Sequence, residues 1–189
     1  MILFAVPGDG VGMYEVELKV RAEHDRVRAR LESIGAEPAG TVSQVDTYYD
    51  HPVREFAETD EALRIRRETD DSGERAKITY KGPLVDDASK TREELETGVD
   101  DGDTMAGVIE SVGFEAAATV EKRRERFYHG EYTVTLDTVD GLGEFVEVET
   151  EAEQIEFARE GAVDLLERLG LNPDDGIRTS YLGLLLDET

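Results

Sequence analysis

Tyr14-Glu15-Val16-Glu17-Leu18-Lys19-Val20 alternates strictly, with Glu15, Glu17 and Lys19 on one side and Val16, Leu18 and Val20 on the other. Period-two alternation of this kind marks a strand with one apolar face. The opposite face carries two carboxylates and an ammonium, and comparable stripes recur downstream. Arg64 and Arg66 share a face, as do Lys77, Thr79 and Lys81, then Arg92, Glu94 and Glu96. Lys122, Arg124 and Arg126 form another stripe, and Asp137, Glu147 and Glu149 fall on the last two strands. A solvated outer face explains any one of these stripes taken alone. It does not explain the set, because the chain holds 45 acidic against 21 basic residues, with a formal net charge of −24. Bare surface on such a chain should be acidic, without rows of Lys and Arg. The alternate faces, Val16/Leu18/Val20, Leu63/Ile65 and Val146/Val148, are apolar and need covering.

Three amphipathic helices are available to cover them. The first is expected over His24 to Ile34, with Val27, Leu31 and Ile34 inward and Gly35 as its stop. The second runs over Thr104 to Val112. The third opens after a capping box of Thr150 and Glu153, carries Ile155, Ala158, Ala162, Leu165, Leu166 and Leu169, and stops at Gly170. A short helical tail is expected from Ile177 to Leu186. Strands are expected over Tyr14 to Val20, Thr41 to Tyr49, Ala62 to Glu68, Arg75 to Lys81 and Lys90 to Thr97. Three more follow, over Ala118 to Tyr128, Tyr132 to Val139 and Gly143 to Thr150. Hairpin-length turns join most neighbours, and no strand looks like a protected edge. The expectation is an α+β fold: a closed eight-stranded antiparallel β-barrel with helices packed outside and the charged stripes pointing inward. An eight-stranded barrel has room inside for one small ligand.

An interior holding both signs of charge is tolerable only where the charges pair or meet a ligand. Lys and Arg suit phosphate oxygens, and carboxylates without a cation of their own suit a hard divalent metal. Together they describe a polyphosphate–Mg²⁺ site. Cysteine is absent, and His24, His51 and His129 share no ligand spacing and are read as surface residues. Any metal is then held by oxygen, as Mg²⁺ or Mn²⁺ are. No Ser-His-Asp or Cys-His arrangement is present, and the glycines between Gly8 and Gly12 lack the Lys-Ser/Thr of a P-loop. With no apolar run of spanning length and no secretory leader, the chain reads as cytoplasmic, without a membrane partner. Its negative charge argues against a nucleic-acid partner. Only five of the basic residues are lysines (Lys19, Lys77, Lys81, Lys90 and Lys122), and such an acidic, lysine-poor composition is expected of a halophilic source.

Glu15-Val16-Glu17-Leu18-Lys19 resembles the ExExK signature of the CYTH superfamily, the triphosphate tunnel metalloenzymes. Further blocks are similar to that family in the family's order. They are Leu63-Arg64-Ile65-Arg66, Thr79-Tyr80-Lys81-Gly82-Pro83, Val120-Glu121-Lys122-Arg123-Arg124, Leu136-Asp137, Gly141 to Glu149, and Thr179-Ser180-Tyr181. Within the family, Tyr14 to Lys19 and Gly141 to Phe145 look most like the class IV adenylyl cyclases. The resemblance implies an eight-stranded tunnel, dependence on Mg²⁺ or Mn²⁺, and ATP or another triphosphate as substrate. It assigns residues 13–189 to a CYTH domain and leaves 1–12 as an N-terminal extension.

Carried onto this sequence, the resemblance makes Arg64, Arg66, Lys77, Lys81, Lys122 and Arg124 the triphosphate-binding set. Glu15, Glu17, Glu147, Glu149 and Asp137 become the metal set, and Lys19, Lys81, Lys122 and Arg124 are the expected catalytic cations. Lys19 has a plainer reading as an ion-pair partner of Glu17 or Glu149. Tyr181 is read either as closing the tunnel mouth or as a core tyrosine, and Tyr48 and Tyr49 as strand packing. The reaction stays open between cyclisation of ATP to cyclic AMP and pyrophosphate, hydrolysis of an organic or inorganic triphosphate, and polyphosphate binding without chemistry. A homodimer is left open as well.

Overall fold

The computed structural model describes residues 14–85 and 90–187, so the extension expected over 1–12 lies outside the described residues. The opening alternation forms β1 (Tyr14–Arg21), with Val16 and Val20 almost fully buried. β2 (Glu37–Asp50), β3 (Ala62–Asp70) and β4 (Gly73–Lys81) follow, then β5 (Lys90–Arg92) and β6 (Glu94–Val99). β7 (Glu115–His129), β8 (Tyr132–Val139) and β9 (Gly143–Ala152) complete one antiparallel sheet in the order β5-β1-β9-β8-β7-β2-β3-β4-β6.

The two ends of that order are consecutive in sequence, separated by Glu93 alone. The stretch expected as one strand, Lys90 to Thr97, is therefore two. Its first half pairs with β1, Glu15 opposite Arg92 and Glu17 opposite Lys90. Its second half pairs with β4, from Lys81 opposite Glu94 to Ala76 opposite Val99. The chain itself thus crosses from one edge of the sheet to the other and nearly closes the barrel. This split makes nine strands among the described residues where eight were expected. Gly82 N–H donates to the Glu93 carbonyl at 2.9 Å, tying the crossing to the end of β4.

The helices pack on the outside. Val27 and Leu31 of α1 (His24–Ser33), with Ala162, Leu165 and Leu166 of α4 (Ile155–Arg168), cover Val20, Phe127, Val134, Leu136, Val146 and Val148. Each Val, Leu or Phe among them, once fully buried, contributes roughly 1.5–3 kcal/mol. α3 (Gly102–Ser111) lays Ile109 on Tyr49 and Ile65 in the same manner. The expected capping box does not form. β9 continues to Ala152, so Thr150 is still in a strand and its hydroxyl donates to the Glu131 carbonyl at 2.8 Å. His24 is buried rather than superficial, with Nε2 3.0 Å from the Phe145 carbonyl, because the first turn of α1 packs against β9. A single turn, α2 (Phe56–Thr59), has no counterpart in the sequence expectations.

The inner face is charged through most of its length but becomes apolar at one end. There Tyr48, Val120, Val139 and Phe145 terminate four neighbouring inward stripes. α5 (Tyr181–Asp187), which starts four residues later than the expected tail helix, lies against this end with Tyr181, Leu182, Leu184 and Leu185.

Candidate active site

Register decides which side chains face each other inside the barrel. Glu17 is opposite Glu149 and Lys19 opposite Glu147 on β1 and β9. Arg124 is opposite Asp137 on β7 and β8, and Asp46 opposite Arg66 on β2 and β3. Because alternation keeps one face inward along each strand, these pairs share a single interior. A cavity of about 2200 Å³ runs through it. Its lining includes Glu15, Glu17, Lys19, Arg64, Arg66, Lys77, Lys81, Lys122, Arg124, Glu147, Glu149 and Tyr181. Asp137 is the one residue of the expected set that is not part of that lining.

At one corner the carboxylate oxygens of Glu15, Glu17 and Glu149 lie within 4.8 Å of one another. Like charges directly opposite on paired strands repel. Burial, together with Glu15, Glu147 and Glu17, pushes the Glu149 carboxyl up to about 7, and Arg124 offsets this only in part. Arg124 approaches Glu149 no closer than 4.0 Å. Glu17 behaves differently. Burial would raise it, but Lys19, Lys90 and Lys81 outweigh that and hold it below the usual range. Glu15 accepts from Lys81 Nζ at 2.6 Å, and the same ammonium contacts Glu94 at 2.5 Å. Lys81 therefore bridges the barrel seam from β4 to β1 and β6. Three convergent carboxylates, one short of positive charge at neutral pH, fit a hard divalent cation by donor type.

The facing wall is organised around two aspartates. Asp137, fully buried, accepts from Arg124 Nε at 2.7 Å and Nη2 at 2.6 Å, and from Lys122 Nζ at 3.1 Å. Asp46, also buried, accepts from Arg66 Nε at 2.6 Å and Nη2 at 2.7 Å, and from Arg64 Nη1 at 3.3 Å. Burial would raise both carboxyls. Arg64 and Arg66 around one, and Arg124 and Lys122 around the other, hold them far below the usual range. Each aspartate compensates one of its two cations, so the wall keeps positive charge. Lys122 shows the excess: burial, then Arg124 and Arg66, bring its ammonium down to about 8. Arg124 also binds Glu147, which lies 3.9 Å from Lys19.

Asp137 and Glu147, expected with the metal set, are thus engaged by cations and stand apart from the Glu15–Glu17–Glu149 trio. Lys19 contacts Glu17 and Glu147, each at 3.9 Å, rather than Glu149. Lys77 lies nearer the rim, half exposed and paired with Glu96 at 2.8 Å. Tyr181 is 6% exposed, at the inner tip of α5. It both lines the cavity and belongs to the apolar cluster at that end. Tyr48 does the same, with its hydroxyl 3.4 Å from Arg64 Nη1.

Sequence reasoning passed over Asp46 and Lys90. Asp46 belongs to the inward row Gln44-Asp46-Tyr48, a weak signal with one charge in it. Lys90 lines the cavity opposite Glu17, and burial, then Lys19 and Arg92, lower it to about 8. The scarcity of lysine was the available signal for it.

The CYTH domain family matches residues 13–181. A protein of Methanocaldococcus jannaschii, provisionally named an adenylate cyclase, is 36% identical over 176 residues, 91% of this chain and 98% of that protein. Adenylate cyclase CyaB of Aeromonas hydrophila is 29% identical over 167 residues, 85% of this chain and 83% of that one. A solved structure from Hippeastrum shares the fold at a TM-score of 0.67, with 15% identity over 94% of this chain and 96% of that chain. That protein is described as a provisional adenylyl cyclase with a dominant triphosphatase activity. Among the described residues, no helix is long and apolar enough to cross a membrane.

Proposed function

Because this chain belongs to the CYTH domain family, we propose that it is a metal-dependent enzyme acting on a nucleoside triphosphate inside its barrel, with cyclisation of ATP as the favoured reaction. One observation carries the reading: a trio of convergent carboxylates, with Glu149 short of positive charge, shares a cavity with a wall of Arg and Lys in excess of its counter-ions. Glu15, Glu17 and Glu149 would hold Mg²⁺ or Mn²⁺, while Glu147 stays with Arg124 and Lys19. A bound divalent ion supplies neutralisation of triphosphate oxygens and acidification of the attacking hydroxyl. Arg64, Arg66, Lys81, Lys122 and Arg124 would bind the triphosphate by charge-assisted hydrogen bonds, with Lys77 at the rim. Lys19, between the acidic corner and the basic wall, balances charge on the phosphoryl group undergoing substitution. Transfer by positioning and charge neutralisation needs no protein nucleophile.

In the cyclase, the ribose 3′-hydroxyl gives up its proton to solvent and its oxygen forms a bond to the α-phosphorus, while the bond to the bridging oxygen breaks and pyrophosphate leaves. The names of the two relatives and the likeness of Tyr14 to Lys19 to class IV enzymes favour this over hydrolysis. The Hippeastrum protein shows that the same fold serves a triphosphatase, in which water attacks the terminal phosphorus, and this is the second reading. Incubation with ATP and Mg²⁺ or Mn²⁺ in high salt, followed by product chromatography, separates them. Cyclic AMP with pyrophosphate is the expected result. ADP or AMP with phosphate establishes the hydrolase, and retained binding without products establishes a binder.

A further inference from the structure

Tyr181 joins the apolar end of the barrel to its charged interior. Its ring meets Phe145 edge-on, with centroids 5.0 Å apart. From the interior, Lys19 Nζ lies 4.3 Å and Lys122 Nζ 4.9 Å from the ring centroid. Its hydroxyl is buried and has no hydrogen-bond partner among the described residues. A buried hydroxyl left in that state is costly, so an unpartnered one beside a ligand cavity calls for an explanation.

The surrounding protein groups do not supply one. The carboxylates whose charge reaches Tyr181 are chiefly Glu147 and Asp137. Asp137 already accepts from Arg124 with both oxygens and from Lys122, while Glu147 accepts from Arg124 and faces Lys19. Lys19 and Lys122 are donors with no acceptor capacity. What is missing is an acceptor, and the two ammonium groups over the ring make that spot attractive to an anion. Burial and these carboxylates keep the phenol protonated, so it remains a donor at any working pH.

We propose that the Tyr181 hydroxyl donates a hydrogen bond to a phosphoryl oxygen drawn in by Lys19 and Lys122. This assignment rests on the triphosphate reading above and adds a neutral donor to its set of cations. It also gives α5 a part in recognition, since the helix that covers the barrel end would carry one contact to the substrate. The ring, held by Phe145 and by the two ammonium groups, fixes the donor in place.

Tyr181→Phe removes the hydroxyl and keeps the ring, its packing on Phe145 and its cation contacts. Tripolyphosphate binding is measured by calorimetry in high salt for the wild type and the variant, alongside thermal unfolding of both. The expected result is about tenfold weaker binding in the variant, with an unchanged or raised melting temperature. A purely structural tyrosine would leave the affinity alone, so wild-type affinity in the variant overturns the assignment while leaving the triphosphate reading intact. Failure of the wild type itself to bind tripolyphosphate overturns both.

Discussion

Asp46 and Asp137 each sit between two cationic side chains, whereas Glu149 sits beside Glu15 and Glu17 with its nearest cation 4.0 Å away. The first arrangement is electrostatically closed and drives the carboxyls far below their ordinary range. The second is open, and pushes a carboxyl up to about 7. The aspartates are the more deeply buried, yet it is Glu149 that is raised, so burial alone does not separate them; the cross-strand neighbours do. Closed pairs hold the barrel wall together and orient the cations. The open corner leaves Glu149 without a close cationic partner of that kind. The two regions thus answer to different neighbours within an interior that looks uniformly charged.

The largest contrast should come from substituting one member of each subset. Glu149→Gln removes a carboxylate that repels its neighbours, so the fold should persist with equal or higher melting temperature while turnover is lost. Full turnover in that variant would dissolve the distinction between the two regions. Arg124→Ala leaves Asp137 and Glu147 without their principal cation, a change that costs about 3–5 kcal/mol when a buried pair is broken. Chemical denaturation should register that loss. A variant as stable as the wild type would mean that the wall does not depend on the Arg124 pairs.

The pH response sharpens the same comparison. Glu149 is raised from its ordinary 4.5 to about 7, so the metal-free fold binds a proton that the unfolded chain has released between those values. Its contribution therefore weakens stability as pH rises from about 4.5 to about 7 and stays constant above. A divalent ion must displace that proton, so its affinity should climb with pH through the same window and level off beyond it. Asp46 has the opposite sign. Its stabilisation is present above the ordinary carboxylate pKa and fades as pH falls into strong acid. Calorimetric Mg²⁺ titrations between pH 5 and pH 8 that show no trend would place the metal away from Glu149. The smallest and least local effect is that of salt. A net charge of −24 should make the fold weaken in dilute buffer, visible by circular dichroism, and full stability there would remove the halophilic reading.

Much of this was legible from alternation. The inward stripes, the apolar outer faces and the helices that cover them follow from which residues recur at two and at three to four positions. Pairing was not legible. Asp137 reads as one more acid until register sets it opposite Arg124. Asp46 is a single charge among polar residues until it meets Arg66 across β2 and β3. The split at Glu93 carries no Gly or Pro to announce it, because it arises from the chain passing between two partners rather than from a turn. Lys90 becomes an interior cation only once that crossing sets it opposite Glu17. His24 was misplaced for a related reason, since a helix start looks exposed until its packing against β9 is known.

The claim that the acidic corner is the metal site is tested most directly by Mn²⁺ binding, followed by electron paramagnetic resonance of the free ion. The wild type should remove free Mn²⁺ from solution, and the folded double variant Glu17→Gln/Glu149→Gln should leave it free. Equal uptake by the two proteins would contradict the account.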